Sequence, residues 1–150
     1  MKRSIPALTM ALLLVAAPAG AFDAQGADII GLRLGIPRAE ATAILRRQGF
    51  SVTPNEDSLT AGTRDGVLTI DLKDGRIREI RYVFNARGAG EPDRIPASVL
   101  DRFGPPNQSK PMAWCQVGAP EGKCLDGAAA LIFVPETLTL VLRADTPEQP

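Results

Sequence analysis

The chain contains no histidine, one tryptophan, one tyrosine and two cysteines in 150 residues, and each scarcity removes a class of chemistry. Without histidine, Ser-His-Asp and Cys-His catalysis are unavailable and the commonest metal ligand is missing. Seven aromatic side chains, five of them phenylalanine, are too few to line a sugar-binding groove, so the core has to be built of Ile, Leu, Val and Ala. Neither sign of charge dominates, with 17 Lys and Arg against 17 Asp and Glu. That balance lacks the basic footprint by which proteins hold nucleic acid. Gly88-Ala89-Gly90 is not a phosphate loop, having no following helix and no Lys. The most apolar stretch, Ala7 to Ala17, falls short of the roughly 20 residues that span a bilayer.

That short stretch has another reading. Lys2 and Arg3 precede it, and Ala19-Gly20-Ala21 follows it with the small residues that signal peptidase requires. Residues 1–21 are therefore expected to be a signal peptide cleaved between Ala21 and Phe22, and no Cys stands there to take a lipid. The mature chain would keep 15 Lys and Arg against 17 Asp and Glu, a formal net charge of −2. Residues 22–28 read as a flexible mature N-terminus, 29–143 as one domain and 144–150 as a flexible tail. A domain of this size buries about two-thirds of its unfolded surface. The expected location is the bacterial periplasm or the medium.

In an exported protein an even cysteine count reads as a disulfide. Cys115 and Cys124 enclose QVGAPEGK, whose Gly118, Pro120 and Gly122 suit a loop closed at its base. A bridge closing about ten residues stabilises by roughly 2.5–3 kcal/mol on chain-entropy grounds. A redox pair would sit closer, and a zinc site would require more Cys or His.

Two segments carry a helical period. Pro37 opens the first, in which Ala41, Ile44, Leu45 and Gln48 share a face and Gly49 ends it. Pro96 opens the second, with Ile95, Val99, Leu100 and Phe103 apolar and Gly104-Pro105-Pro106 as the stop. Between and after them lie alternating strands: 50–53, 59–64, 67–73, 76–84, 112–117, 128–134 and 137–143. Asp65-Gly66 and Asp74-Gly75 read as hairpin turns. A turn at Asp74-Gly75 sets Leu72 opposite Ile77 and hence Ile70 opposite Glu79, although Ile80, Tyr82 and Phe84 form the better apolar face. One extra residue near Arg78-Glu79 would repair the parity, so a β-bulge is predicted there. The expected class is α+β: two short helices packed on one face of an antiparallel meander sheet, in two helix-plus-strands halves.

Candidate functional residues are sparse. Glu56, Asp57, Asp65, Asp71 and Asp74 read as turn chemistry and a wet strand face; a hydrolase would require two of them facing across a groove. Arg76, Arg78, Arg81 and Arg87 form a basic stripe that could meet an acidic partner or protect an edge strand. Trp114 is either core beneath the second helix or, if Cys115 points inward, an outward binding anchor. The candidate interaction surface is therefore Trp114 with Arg76, Arg78 and Arg81.

Leu34-Gly35-Ile36-Pro37, followed by Glu40-Ala41 and Leu45, resembles small bacterial envelope proteins of the SmpA/OmlA type. Val99, Phe103-Gly104-Pro105-Pro106 and Trp114 are similar to the Gly-x-Pro and strand Trp of that family. The two-helix pattern also resembles the β-lactamase-inhibitor-protein-like fold. Ile36-Pro37 departs from the family's Met-Ser/Thr, and the lipid-bearing Cys is missing. The resemblance implies a protein-binding module of the cell envelope without a catalytic centre. The expected function is thus a non-enzymatic protein-binding or envelope-assembly module, with no cofactor, no metal, no nucleic acid and no membrane span, and with a periplasmic or envelope protein as partner. The alternative is a carrier of a small apolar ligand held between helix and sheet.

Overall fold

In the computed structural model the residues described are 22–85, 93–115 and 129–144. The expected signal peptide, Arg87, Cys124 and residues 145–150 lie outside them. Helix α1 (Arg38–Arg47) precedes strands β1 (Ser51–Pro54), β2 (Ser58–Thr63), β3 (Gly66–Lys73) and β4 (Arg76–Phe84). Helix α2 (Arg94–Phe103) then precedes β5 (Gln108–Ser109), β6 (Met112–Cys115), β7 (Ala129–Val134) and β8 (Thr139–Arg143), with a 3-10 turn at Pro135–Thr137 before β8. The eight strands make one sheet in the order β1-β2-β3-β4-β8-β7-β6-β5, antiparallel at every pairing. Each half is a meander, and the halves join through their last strands. The protein is α+β.

The strand period decides which face is core. On β3 Leu68, Ile70 and Leu72 are buried while Val67, Thr69 and Asp71 are exposed. The register carries the inward set across the sheet, from Leu59 through Ile70 and Ile80 to Leu142, Leu131 and Trp114. Ala41 and Leu45 of α1 and Ile95 and Val99 of α2 belong to the same buried cluster, so both helices cover this face. On α2 the i, i+4, i+8 stripe is Ile95, Val99 and Phe103. Leu100, expected on that face, lies one step off it and is 37% exposed.

The expected bulge is present. Leu72 pairs with Ile77, then the register shifts so that Asp71 meets Glu79 and Ile70 meets Ile80. Asp74 and Gly75 both have positive φ (53° and 73°), as a tight hairpin of the mirror-image type requires. The other expected turn is displaced. Thr63 pairs with Gly66, so Arg64 and Asp65 form the turn and Gly66 begins β3. Its glycine serves packing: a Cβ there would fall 2.5–2.6 Å from Cε2, Cζ and the hydroxyl oxygen of Tyr82.

Gly66→Ala is therefore expected to lower stability by about 1–3 kcal/mol, the usual cost of overpacking. Gly62→Ala in β2, whose Cβ would meet nothing within 4 Å, should be neutral or slightly stabilising. Thermal melts of the two variants, followed by the fluorescence of the sole tryptophan, check the contrast.

Two further expectations change. Residues 22–28, read as a loose lead-in, pack against the body. Asp23 accepts the N–H groups of Gln25 and Gly26 (both 3.1 Å), Ala24 is 2% exposed, and the Phe22 N–H donates to the Cys115 carbonyl at 2.7 Å. The polar composition conceals this self-capped turn. Leu138, expected at the start of an alternating strand, instead adopts a left-handed conformation (φ 49°) after the 3-10 turn, and β8 begins at Thr139.

Candidate functional site

Two features stand out: a cleft beneath α2, and the sheet face that the helices leave uncovered.

The cleft of about 290 Å³ lies between α2, the inner face of the sheet and the segment around Asp28. Ile29, Ile30, Tyr82, Phe84, Ile95 and Val99 supply most of its walls. Its N-terminal wall is built by local chemistry. Ile29 and Leu32 exchange backbone hydrogen bonds of 3.0 Å, which forces Ile30 and Gly31 to positive φ (55° and 78°). A β-branched residue in that region is strained by roughly 1–3 kcal/mol. Gln48, at the end of α1, donates its side-chain amide to the Ile30 carbonyl at 2.7 Å and holds the turn. Ile30 thus sits on the cleft wall in a conformation that glycine would adopt with less strain.

Apart from Tyr82, the polar side chains of the lining are the partly exposed Asp28 and the exposed Ser98 and Arg102 at the rim. Arg102 Nη2 donates to the Asp28 carboxylate at 2.7 Å and to its carbonyl at 3.1 Å, which ties α2 to the N-terminal segment. Partial burial pushes the Asp28 carboxyl up, but the hydrogen bonds from Arg102 and the Gly31 N–H, with the charges of Arg102 and Arg33, hold it below the usual aspartate value. With Arg102 half exposed and Asp28 one-third exposed, solvent screening keeps the pair within about 1 kcal/mol. Ser98 donates to the Arg94 carbonyl at 3.0 Å.

Tyr82 is 6% exposed and meets Phe84 edge-on, with centroids 4.5 Å apart. Burial and the charge of Asp65 raise its phenol above the ordinary tyrosine value. A raised folded-state value means that its contribution to stability is complete below about pH 10 and is lost as the pH rises through the folded value. Because the chain has a single tyrosine, ultraviolet titration of phenolate reports Tyr82 alone. Its midpoint should lie above that of a free tyrosine and return to the ordinary value on unfolding in urea.

The other sheet face is part apolar. Val67 pairs with Val83, Val83 with Thr139 and Thr139 with Val134; Val67 is 47% and Val83 39% exposed. The adjacent row runs from Ala113 through Ile132 and Val141 to Arg81, Thr69 and Thr60, with Ala113 and Val141 buried.

The residues singled out in the sequence do not converge. Trp114 is 2% exposed, donates its indole N–H to the Gly104 carbonyl at 3.1 Å and meets Phe103 edge-on at 6.1 Å. It is core, not a binding anchor. The register irregularity beside them puts its extra residue, Ala130, on β7. Trp114 belongs to the main buried cluster and Cys115, also buried, does not, so the alternation holds with Trp114 as the inward member. Arg76 donates to the Gly35 carbonyl at 2.9 Å, Arg81 pairs with Glu79 at 3.3 Å, and Arg78 is the extra residue of the bulge. The stripe is broken by its own contacts. Among the described residues no cysteine is free; the expected partner of Cys115, Cys124, lies outside them. Asp65 and Asp74 occupy hairpin turns, Asp71 the outer face of β3, and Glu56-Asp57 the bend after β1. Among the described residues no three His, Cys, Asp or Glu side chains converge, and no described helix is long and apolar enough to cross a membrane. The sequence signals missed were Val67 and Val83, which alternation places outward, and the pairing of Asp28 with Arg102 across 74 residues.

Fold and surface together define an α+β protein whose helices cover one face of a continuous sheet. Comparison with protein-family models, curated proteins and solved structures finds no match.

Proposed function

We propose that this is an exported, non-catalytic module that binds another protein of the cell envelope through the uncovered face of its sheet. The observation that carries the reading is the pair Val67 and Val83, large apolar side chains left 47% and 39% exposed on that face. A wet sheet face is normally polar, and exposed apolar clusters mark interaction sites. Ile132 and Val134, both half-buried, extend the apolar ground, and Arg81 with Glu79 gives it a polar border. Export through a signal peptide cut before Phe22 and a Cys115–Cys124 bridge belong to the same proposal, as does kinship with the SmpA/OmlA and β-lactamase-inhibitor-protein-like architectures.

Replacing Val67 and Val83 together by Lys tests it. Exposed substitutions of this kind change stability by about 0.5 kcal/mol or less, so the double variant should fold normally yet lose the envelope partner that purifies with the unaltered chain. Undiminished co-purification would remove the sheet face from consideration. The second reading, a carrier of a small apolar ligand, is favoured by the cleft beneath α2.

A further inference from the structure

The cleft can be taken further, on the basis of the carrier reading and independently of the sheet face. Four polar side chains border it: Asp28, Ser98, Arg102 and Tyr82. Three are already engaged, Asp28 with Arg102 and Ser98 with the Arg94 carbonyl. Only the Tyr82 hydroxyl has no hydrogen-bond partner among the described residues, in a residue that is 6% exposed as a whole. A buried phenol normally finds an acceptor, because leaving it without one forfeits a full hydrogen bond. The charges nearby argue against an anion as that acceptor. Arg102 and Asp28 neutralise one another at the rim, and the remaining charge close enough to act on Tyr82 is the negative Asp65. The volume of about 290 Å³ equals that of about ten waters at roughly 30 Å³ each, which sets the scale of the occupant.

We propose that the cleft beneath α2 binds an uncharged, largely apolar molecule carrying one hydrogen-bond acceptor, a ketone, ester or ether oxygen, which receives the Tyr82 hydroxyl proton. The apolar body lies among Ile29, Ile95 and Val99, and Ile30 closes the wall. The strained turn at Ile30 fits this assignment, since strain of that kind collects at ligand clamps.

The test uses the mature chain and acetyl-dimethylaminonaphthalene, an uncharged dye with one ketone oxygen whose emission reports its surroundings. The dye should bind, and a medium-chain methyl ketone should displace it about tenfold better than the alkane or the carboxylate of equal length. Tenfold corresponds to about 1.4 kcal/mol, the scale of one hydrogen bond. Tyr82→Phe keeps the ring, and should cut ketone affinity about tenfold while leaving alkane affinity unchanged. Ser98→Phe, at an exposed position on the rim, should close the cleft and abolish dye binding. Equal ketone affinity in Tyr82→Phe, or a carboxylate that competes as well as the ketone, would overturn the acceptor assignment while the carrier reading stands. No dye binding, or binding indifferent to Ser98→Phe, would overturn both.

Discussion

Replacing Trp114 with alanine is expected to destabilise the protein by about 3–5 kcal/mol, the range for losing a large aromatic from a packed core. The side chain is 2% exposed, lies edge-on to Phe103, and gives its N–H to the carbonyl of Gly104, the residue that ends α2. Truncation would therefore leave a cavity beneath α2 and a carbonyl without its donor. Trp114→Phe retains most of the ring and loses the hydrogen bond, so it should cost less, about 1–2 kcal/mol. Chemical denaturation followed by circular dichroism measures both, because the variants lack the intrinsic fluorophore. A loss below 1 kcal/mol in Trp114→Ala would show that Trp114 does not support the second half.

Leu142→Ala should be as severe, at about 2–5 kcal/mol, and its consequence reaches further. Leu142 is fully buried at the seam between the halves, paired with Ile80 on one side and Leu131 on the other. Since β4 and β8 hydrogen-bond directly and the buried cluster runs across them, neither meander has an inner edge of its own. The variant should lose both halves in one transition. Trp114 reports the second half by fluorescence and Tyr82 the first by absorbance, so coincident curves at a lowered midpoint are expected. Separated curves would mean that each half folds by itself.

Much of this architecture was legible because period and turn chemistry agreed. The facing parity of Leu72 and Ile77 demanded an extra residue before Ile80, and the chain supplies it at Arg78. Asp74-Gly75 read correctly because both residues need positive φ. Asp65-Gly66 looked the same but is different, because Gly66 is small for the sake of Tyr82, whose position depends on pairing sixteen residues away. Such a constraint is tertiary and leaves no local mark.

Legibility was lower at the candidate site. Alternation set Trp114 and Cys115 on opposite faces but not which of them is inward; Trp114 takes the main core and Cys115 is buried outside it. The Arg stripe looked continuous on paper, yet Arg76 is drawn to the Gly35 carbonyl and Arg78 sits in the bulge. The cleft was unreadable because its walls come from four separated segments, and the ion pair at its rim joins Asp28 to a helix 74 residues on. Only the outward valines of β3 and β4 were open to inspection, as apolar residues on the wrong parity.

The claim that the uncovered sheet face is the interface has a direct test, since the fold provides its own control. Val83 and Leu100 are apolar and nearly equally exposed, at 39% and 37%, but Val83 lies on the uncovered face and Leu100 on α2. A photo-crosslinking amino acid placed singly at Val67, Val83 or Leu100 in the full chain expressed in cells should give the same discrete adduct from both valine positions and none from Leu100. An adduct from Leu100 of equal yield, or none from either valine position, would contradict the account.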